Sequence, residues 1–330
     1  VSFILYTPLT LFTGYGGKSC KIHQIKSFGP KKRGIPSFCG KWYKIEQVEQ
    51  KQRSSMDYPK TSWRLIQNTP AKGAWNMAVD EAILESVTSG EALPTLRLYA
   101  WEPACLSLGK LQAFADINGA ALAQHGWDVV RRPTGGRAIL HVDELTYAVI
   151  APNTEPRVSG GVLESYLRLS QALLRALQIL GAAPKANEKD AATDPNQPNP
   201  VCFEVPSNYE ITVNGMKIVG SAQARRFEGV LQHGTLPLHG DLTRVISALK
   251  FDTEEAKERA AQRLLAHATT MESVLGEAPT WQQAAEATQA AFTEVLNLTL
   301  VPGELSPQEK ERAAALVESK YGSPTWTERI

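Results

Sequence analysis

CFEVPSNYEITVNGMKIVGSAQ, Cys202 to Gln223, decides how this chain folds. Asn214-Gly215 divides two short apolar runs. Asn-Gly in that setting is the strongest short-range sign of a hairpin, because a type I′ turn needs positive φ at both central residues. Tyr209–Val213 is therefore predicted to pair back on Met216–Gly220, with Thr212 opposite Lys217. Lys217 is the only charge in an otherwise apolar second strand. A strand lysine most often faces solvent; one fixed near a hairpin tip also suits chemistry. Upstream, Lys185–Val201 reads as a polar loop, kept extended by Pro195, Pro198 and Pro200. It delivers Cys202 to the edge of the sheet, where a reactive thiol is accessible.

Two further blocks bear on the same site. Arg131–Leu145 reads RRPTGGRAILHVDEL and follows a predicted strand, Trp127–Arg131. Arg131, Arg132, Thr134, Gly135 and Gly136 form a basic, glycine-containing turn. Glycines there let backbone N–H groups approach an oxyanion or a phosphate closely. Gly-Gly alone is equally an ordinary hairpin loop, and His141 is either a polar pocket residue or a satisfied structural histidine. The third block is Leu231–Leu236, LQHGTL, on a predicted strand Gly229–Leu238.

KIVGSAQ, preceded by CFE and YE and followed by LQHGTL and RRPTGGRAILH elsewhere in the chain, resembles the biotin/lipoate protein ligase superfamily. The combination is most similar to its cysteine-dependent octanoyltransferases, the branch that works without ATP. The resemblance runs from about Trp63 to the C-terminus. ATP-using lipoate ligases carry a third glycine where this chain has Arg137, and they differ also at Thr134 and Val142. The resemblance implies an α/β (α+β) fold with a mixed, largely antiparallel central sheet flanked by helices. It implies Cys202 as the acyl-carrying nucleophile and Lys217 as its activating partner. Substrate-binding roles fall on Arg131, Arg132, Thr134, Gly135, Gly136, His141, Gly220, Ser221, His233, Gly234 and Thr235. Octanoyl-acyl carrier protein is the implied donor and a lipoyl domain, such as glycine cleavage H protein, the acceptor. No cofactor and no metal are expected, and the expected compartment is the cytoplasm. The competing readings are an ATP-dependent lipoate–protein ligase and a non-catalytic binder of acyl carriers or lipoyl domains.

The chemistry sets a condition on Cys202. The attacking species is a thiolate. A free cysteine of pKa ~8.5 is only about 3% thiolate at pH 7, and a fall of about two units would make it roughly three-quarters thiolate. A nearby ammonium can supply such a shift.

Composition describes a soluble globular protein with ample core rather than a nucleic-acid binder or a membrane protein. The 330 residues are 43% hydrophobic and 21% charged, and no apolar run reaches the length of a transmembrane helix. The net charge of +1 conceals an asymmetry: residues 1–55 carry +8, leaving −7 for the rest. A mildly acidic body argues against a nucleic-acid partner. The four cysteines show no metal-type spacing, and Cys105, inside ACLSLG, reads as a small buried hydrophobe. Residues 1–59 read as a basic extension without fold, with the protein proper expected to begin at Met56. The remainder, 60–330, reads as a single catalytic domain, its core about 86–300, with a helical C-terminal end.

Helices are predicted at Trp75–Val87, Ile117–His125, Val162–Leu180, Thr243–Lys250 and Thr253–Ala266. Two more begin at the capping boxes Thr280–Gln283 and Ser306–Glu309, where each cap and its N3 side chain satisfy the other's backbone donor. Strands are predicted at Trp63–Gln67, Thr95–Trp101 (half-buried), Cys105–Gly109 as its partner, and Leu145–Ala151. Asn76, Asp80 and Glu81 are expected to favour the dipole of the first helix.

Overall fold

The computed structural model describes residues 58–188 and 209–330. The expectations for residues 1–57 and for Cys202 fall outside the described residues. The chain begins with β1 (Thr61–Gln67), α1 (Gly73–Thr88), β2 (Thr95–Tyr99) and β3 (Cys105–Leu108). There follow α2 (Gly119–His125), β4 (Asp128–Arg131), β5 (Ile139–His141), β6 (Glu144–Pro152), α3 (Val162–Ile179) and β7 (Pro184–Glu188). The hairpin is β8 (Tyr209–Val213) and β9 (Met216–Arg226), followed by β10 (Gly229–Pro237). The rest comprises α4 (Arg244–Ser247), α5 (Glu254–His267), α6 (Met271–Leu275), α7 (Trp281–Val295), β11 (Leu298–Pro302), α8 (Pro307–Leu316) and α9 (Pro324–Thr327).

Among the described residues, eight strands form one sheet in the order β11-β1-β2-β6-β10-β9-β8-β7. β1 runs parallel to β11 and β2, and the other five pairings are antiparallel. This is the expected mixed, largely antiparallel sheet. Leu96 and Leu98 of β2, with Leu145, Tyr147 and Val149 of β6, pack under α3 and α7. Tyr99, Ala148 and Ile150 face the other way, toward α1. Burial on both faces explains why β6 reads as a continuous apolar run. It also corrects the reading of β2, which is buried at every position rather than half-buried.

A second sheet of three strands, β4-β3-β5, lies beside the first. β3 belongs here, not against β2 as its sequence position suggested: Cys105 pairs with Asp128 on one side and His141 on the other. The small sheet brings the Arg131–His141 block up against the large one.

The hairpin forms in the predicted register. Asn214 has φ 52° and Gly215 φ 82°, Val213 lies opposite Met216, and Thr212 lies opposite Lys217. One feature of it escapes a simple alternation. A bulge falls between the Thr212–Lys217 and Ile211–Val219 pairs. Ile218 and Val219 both enter the core with Ile211 and Val213. Glu210 and Thr212 occupy the opposite face, and Lys217 joins them through an ion pair with Glu210. An extra residue on one strand changes which face the following side chains take.

Both capping boxes form: Gln283 N donates to Thr280 Oγ1 at 3.2 Å and Thr280 N to Gln283 Oε1 at 2.8 Å, and Ser306 with Glu309 does the same at the start of α8. Three strands had no counterpart in the sequence reading: β5, which pairs with β3, and β7 and β11. β7 occupies the start of the supposed polar loop and pairs with β8, and β11 pairs with β1. No described helix is long and apolar enough to cross a membrane.

Candidate active site

Three segments meet over the α1 face of the large sheet. They are the Arg132–His141 block, Gly220–Ala222 of β9 and His233–Thr235 of β10. Together with Met77, Tyr99, Trp101, Ser107, Ile139 and Thr146 they line a cavity whose space between atoms, part of it open to solvent, is about 430 Å³. Of the residues expected to bind substrate, Arg132, Gly136, His141, Gly220, Ser221, His233, Gly234 and Thr235 all line it.

The loop at its mouth is shaped by Arg132. The guanidinium donates to Gly135 O at 2.9 Å, Arg137 O at 2.7 Å and Ser107 O at 2.9 Å. Gly136 takes φ 90°, in the left-handed region that favours glycine. Gly135 is exposed on the same turn. Arg131 does something different from the sequence expectation. It is not among the lining residues; buried, it donates to Gly109 O at 2.9 Å, Gln112 O at 2.5 Å and Thr327 O at 3.0 Å. Its work is to tie the neighbouring loop and α9 to β4.

Most polar groups in the wall are engaged with one another. His141 stacks on Trp101, ring centroids 4.0 Å apart, and its Nδ1 lies 2.7 Å from Glu144 Oε1. A carboxylate only accepts, so Nδ1 carries the proton and Nε2 accepts from Ser107 Oγ at 2.7 Å. Glu144 also accepts from Thr146 at 2.5 Å and from Thr235. Trp101 Nε1 donates to Thr146 Oγ1 at 2.7 Å. His141 is therefore both of the things the sequence left open: its ring faces the cavity while its nitrogens are structural. What the cavity presents is mainly ring faces and carbon.

His233 anchors the other wall. Its Nε2 lies 2.8 Å from Thr134 Oγ1, which fastens the glycine loop to β10, and its Nδ1 lies 3.1 Å from Asp80 Oδ2. Asp80 accepts also from Tyr99 at 3.0 Å and from Arg97 at 2.6 Å, with no exposure of either charge. Asp80 thus serves a buried network rather than the helix dipole, and Asn76 joins it by accepting from Arg97 Nη2 at 2.9 Å. Breaking such a pair by removing one partner costs about 3–5 kcal/mol. Nothing local in the sequence marks it: Arg97 reads as a single charge on a strand, and Asp80 sits beside Glu81 near a helix start.

The same network fixes how stability responds to acid. Burial pushes the His233 imidazole down, more than Asp80 pulls it up. Burial also opposes ionisation of Asp80, but Arg97 and His233 outweigh it and hold the carboxyl below its usual range. Both folded-state values are depressed, so both contributions are present at neutral pH and lost on acidification. The His233 contribution declines first, as pH falls below the unfolded value of about 6.5, and that of Asp80 declines below about 3.9. His233→Gln is expected to flatten the fall in urea midpoint between pH 7.5 and pH 5.5 relative to wild type. An unaltered slope would count against a neutral, buried His233.

On the opposite face, Ser221 Oγ lies 2.7 Å from Tyr147 OH, which accepts from Gln232 at 3.1 Å. Gly234 makes room for this pair: a Cβ there would fall 2.7 Å from both Ser221 Oγ and Tyr147 Cε1. Burial pushes the Tyr166 phenol of α3 up, against the opposing pull of the Lys217 charge and of nearby Ser221. The sequence marks this stretch only as a helix, so Tyr166 is a residue it does not reveal. Lys217 itself is 7% exposed and sits 3.3 Å from Glu210 Oε1. Its carbonyl accepts from Thr269 N at 3.0 Å. It is not in the cavity wall but stands three residues before Gly220, which is. The other three cysteines lie outside the described residues; Cys105 is a free, fully buried thiol, as expected.

The fold and this cavity define a class of acyl-handling catalytic domain. Residues 72–293 match the lipoyl protein ligase A/B catalytic domain, and the chain belongs to that family. Within it the chain is 39% identical to the octanoyltransferase LipM of Symbiobacterium thermophilum, over 82% of this chain and 99% of the relative. It is 40% identical to LipM of Lysinibacillus sphaericus, over 81% and 98%. Among solved structures, the bipartite lipoate protein ligase of Thermoplasma acidophilum shares the fold, with a TM-score of 0.67 and 22% identity over 81% of this chain and 96% of that one. So does lipoate-protein ligase A bound with ATP, with a TM-score of 0.65 and 22% identity over 81% and 98%.

Proposed function

We propose that the protein carries an octanoyl group from an acyl carrier protein to the lysine of a lipoyl domain, such as that of glycine cleavage H protein, through a thioester on Cys202. In the first half-reaction the Cys202 thiolate attacks the carbonyl of the carrier thioester. The new C–S bond forms as the old one breaks, and the carrier leaves as a thiolate that takes up the proton released when Cys202 ionised. One thioester replaces another, so the step is close to even and needs no ATP. In the second, the neutral ε-amine of the acceptor lysine attacks the Cys202 thioester. An amide forms, the Cys202 thiolate leaves, and the amine's proton passes to a base. Lys217, a cation kept in place by Glu210, stabilises the thiolate in both halves. Backbone N–H groups near Gly220 and Ser221 are the proposed holders of the tetrahedral oxyanion.

The observation that carries this reading is the cavity. Its polar walls bond among themselves and leave carbon toward the space, which suits an unbranched alkyl chain and wastes no polar contact. The relatives named above are octanoyltransferases, and the departure at Arg137 from the ligase pattern agrees. The acceptor, the cytoplasmic setting and a single catalytic domain over 60–330 belong to the same proposal.

An ATP-dependent ligase on this fold would require free acid and ATP. The protein, octanoyl-carrier protein and a lipoyl domain, without ATP, are therefore expected to yield octanoylated domain on intact-mass analysis. Octanoylation only with octanoic acid and ATP would replace this reading with the ligase.

A further inference from the structure

A second hollow lies on the far side of β5. Its space between atoms, part of it open to solvent, is about 490 Å³, and it is lined largely by apolar side chains, among them Leu140, Val142, Leu242, Val245 and Leu264. Among the described residues that line the two, one is common to this hollow and the cavity of the site: Ile139. Ile139 packs against the same cluster as Val245 and Leu264.

The remaining walls of the first cavity have nowhere to yield. Trp101 is held by its stack on His141 and its bond to Thr146, Tyr99 by Asp80, and His233 by Asp80 and Thr134. Met77 is 1% exposed and backs onto the packed core under α1. Ile139 alone combines an aliphatic side chain, no hydrogen bond to satisfy, and open apolar space behind it. We propose that Ile139 is the partition that sets acyl-chain length: it closes the site to chains longer than the octanoyl group, and its removal joins the two hollows. The proposal rests on the acyl-transfer reading above and adds its specificity-determining residue.

The test is competition between octanoyl- and dodecanoyl-carrier protein for transfer to one lipoyl domain, comparing wild type with Ile139→Ala. Each methylene seated in apolar space is worth roughly fourfold. The ratio of kcat/KM for dodecanoyl over octanoyl is expected to rise by at least about tenfold, within the range one pocket contact commands. Adding Leu242→Trp to Ile139→Ala, which refills the second hollow, should return the ratio toward wild type. Ile139→Phe supplies a variant in the opposite direction, expected to favour hexanoyl over octanoyl. Ratios unchanged in both Ile139→Ala and Ile139→Phe, with wild type active on octanoyl, would overturn the partition and leave the transferase reading standing. A wild type that moves no acyl group from carrier protein would remove both.

Discussion

Lys217→Met is expected to lower octanoyl transfer by at least about a hundredfold, the usual scale for loss of a positioned electrostatic stabiliser. Part of that follows from the thiol alone. On the proposed pairing, loss of the ammonium raises the Cys202 thiol and lowers its thiolate fraction at pH 7. Methionine keeps the length and most of the volume of lysine, so packing between β8 and β9 is little changed. The charge of Glu210 is another matter. It is 5% exposed, and stripping the cation takes one charged partner from a buried carboxylate. Lys217→Met combined with Glu210→Gln removes that penalty and should recover the melting temperature while activity stays low. The direct readout is the pH dependence of Cys202 alkylation, followed by peptide mass. The profile should move upward in Lys217→Met. Transfer within threefold of wild type and an unmoved profile would show that Lys217 is only a buried ion-pair member.

The bulge bears on why this lysine could be located but not oriented from the sequence. Asn214-Gly215 dictates its turn by local sterics alone, so the register of Thr212 against Lys217 was legible. Which face Lys217 takes depends on the extra residue at Ile218, and that is settled by two side chains competing for one core. The same division runs through the fold. Helix starts at Thr280 and Ser306 were legible because a capping box closes within four residues. β11 was not, because its stabilising partner is β1, more than two hundred residues away, and its burial is partial. β7 was hidden by its composition: Lys185 and Asn187 suit an edge strand as well as a loop.

In the site, what was readable was the chemistry-bearing vocabulary of RRPTGG, KIVGS and HGT, and the fold brings those segments to one cavity. The supports were not readable. Asp80, Arg97, Glu144 and Trp101 act through partners from other elements, and each alone looks like a surface charge or a core aromatic. Arg131 shows the converse. Adjacent to Arg132 in a basic turn, it seemed equivalent, yet successive strand residues point to opposite sides, and only Arg132 reaches the cavity.

Cys202→Ser is expected to reduce transfer by on the order of a thousandfold or more, as loss of a nucleophile does. Serine keeps the shape but not the acidity: a hydroxyl beside a lysine stays protonated where a thiol ionises. The sharper readout is the intermediate. Wild type mixed with octanoyl-carrier protein and no acceptor should gain one octanoyl mass, lost on hydroxylamine treatment, and Cys202→Ser should gain none. Cys105 is the internal comparison. It has no exposure, burial pushes its thiol well above the ordinary range, and its sulfur packs against Gly73, where a Cβ would stand 2.4 Å away. A thiol so placed is neither ionised nor reachable, so Cys105→Ala should retain the adduct at whatever cost in stability. An adduct that survives Cys202→Ser but disappears with another cysteine would transfer the chemistry to that residue. An adduct on none of them, with the lipoyl domain still octanoylated at the wild-type rate, would mean that the amine attacks the carrier thioester directly and that Lys217 acts on the substrate carbonyl instead of a thiol.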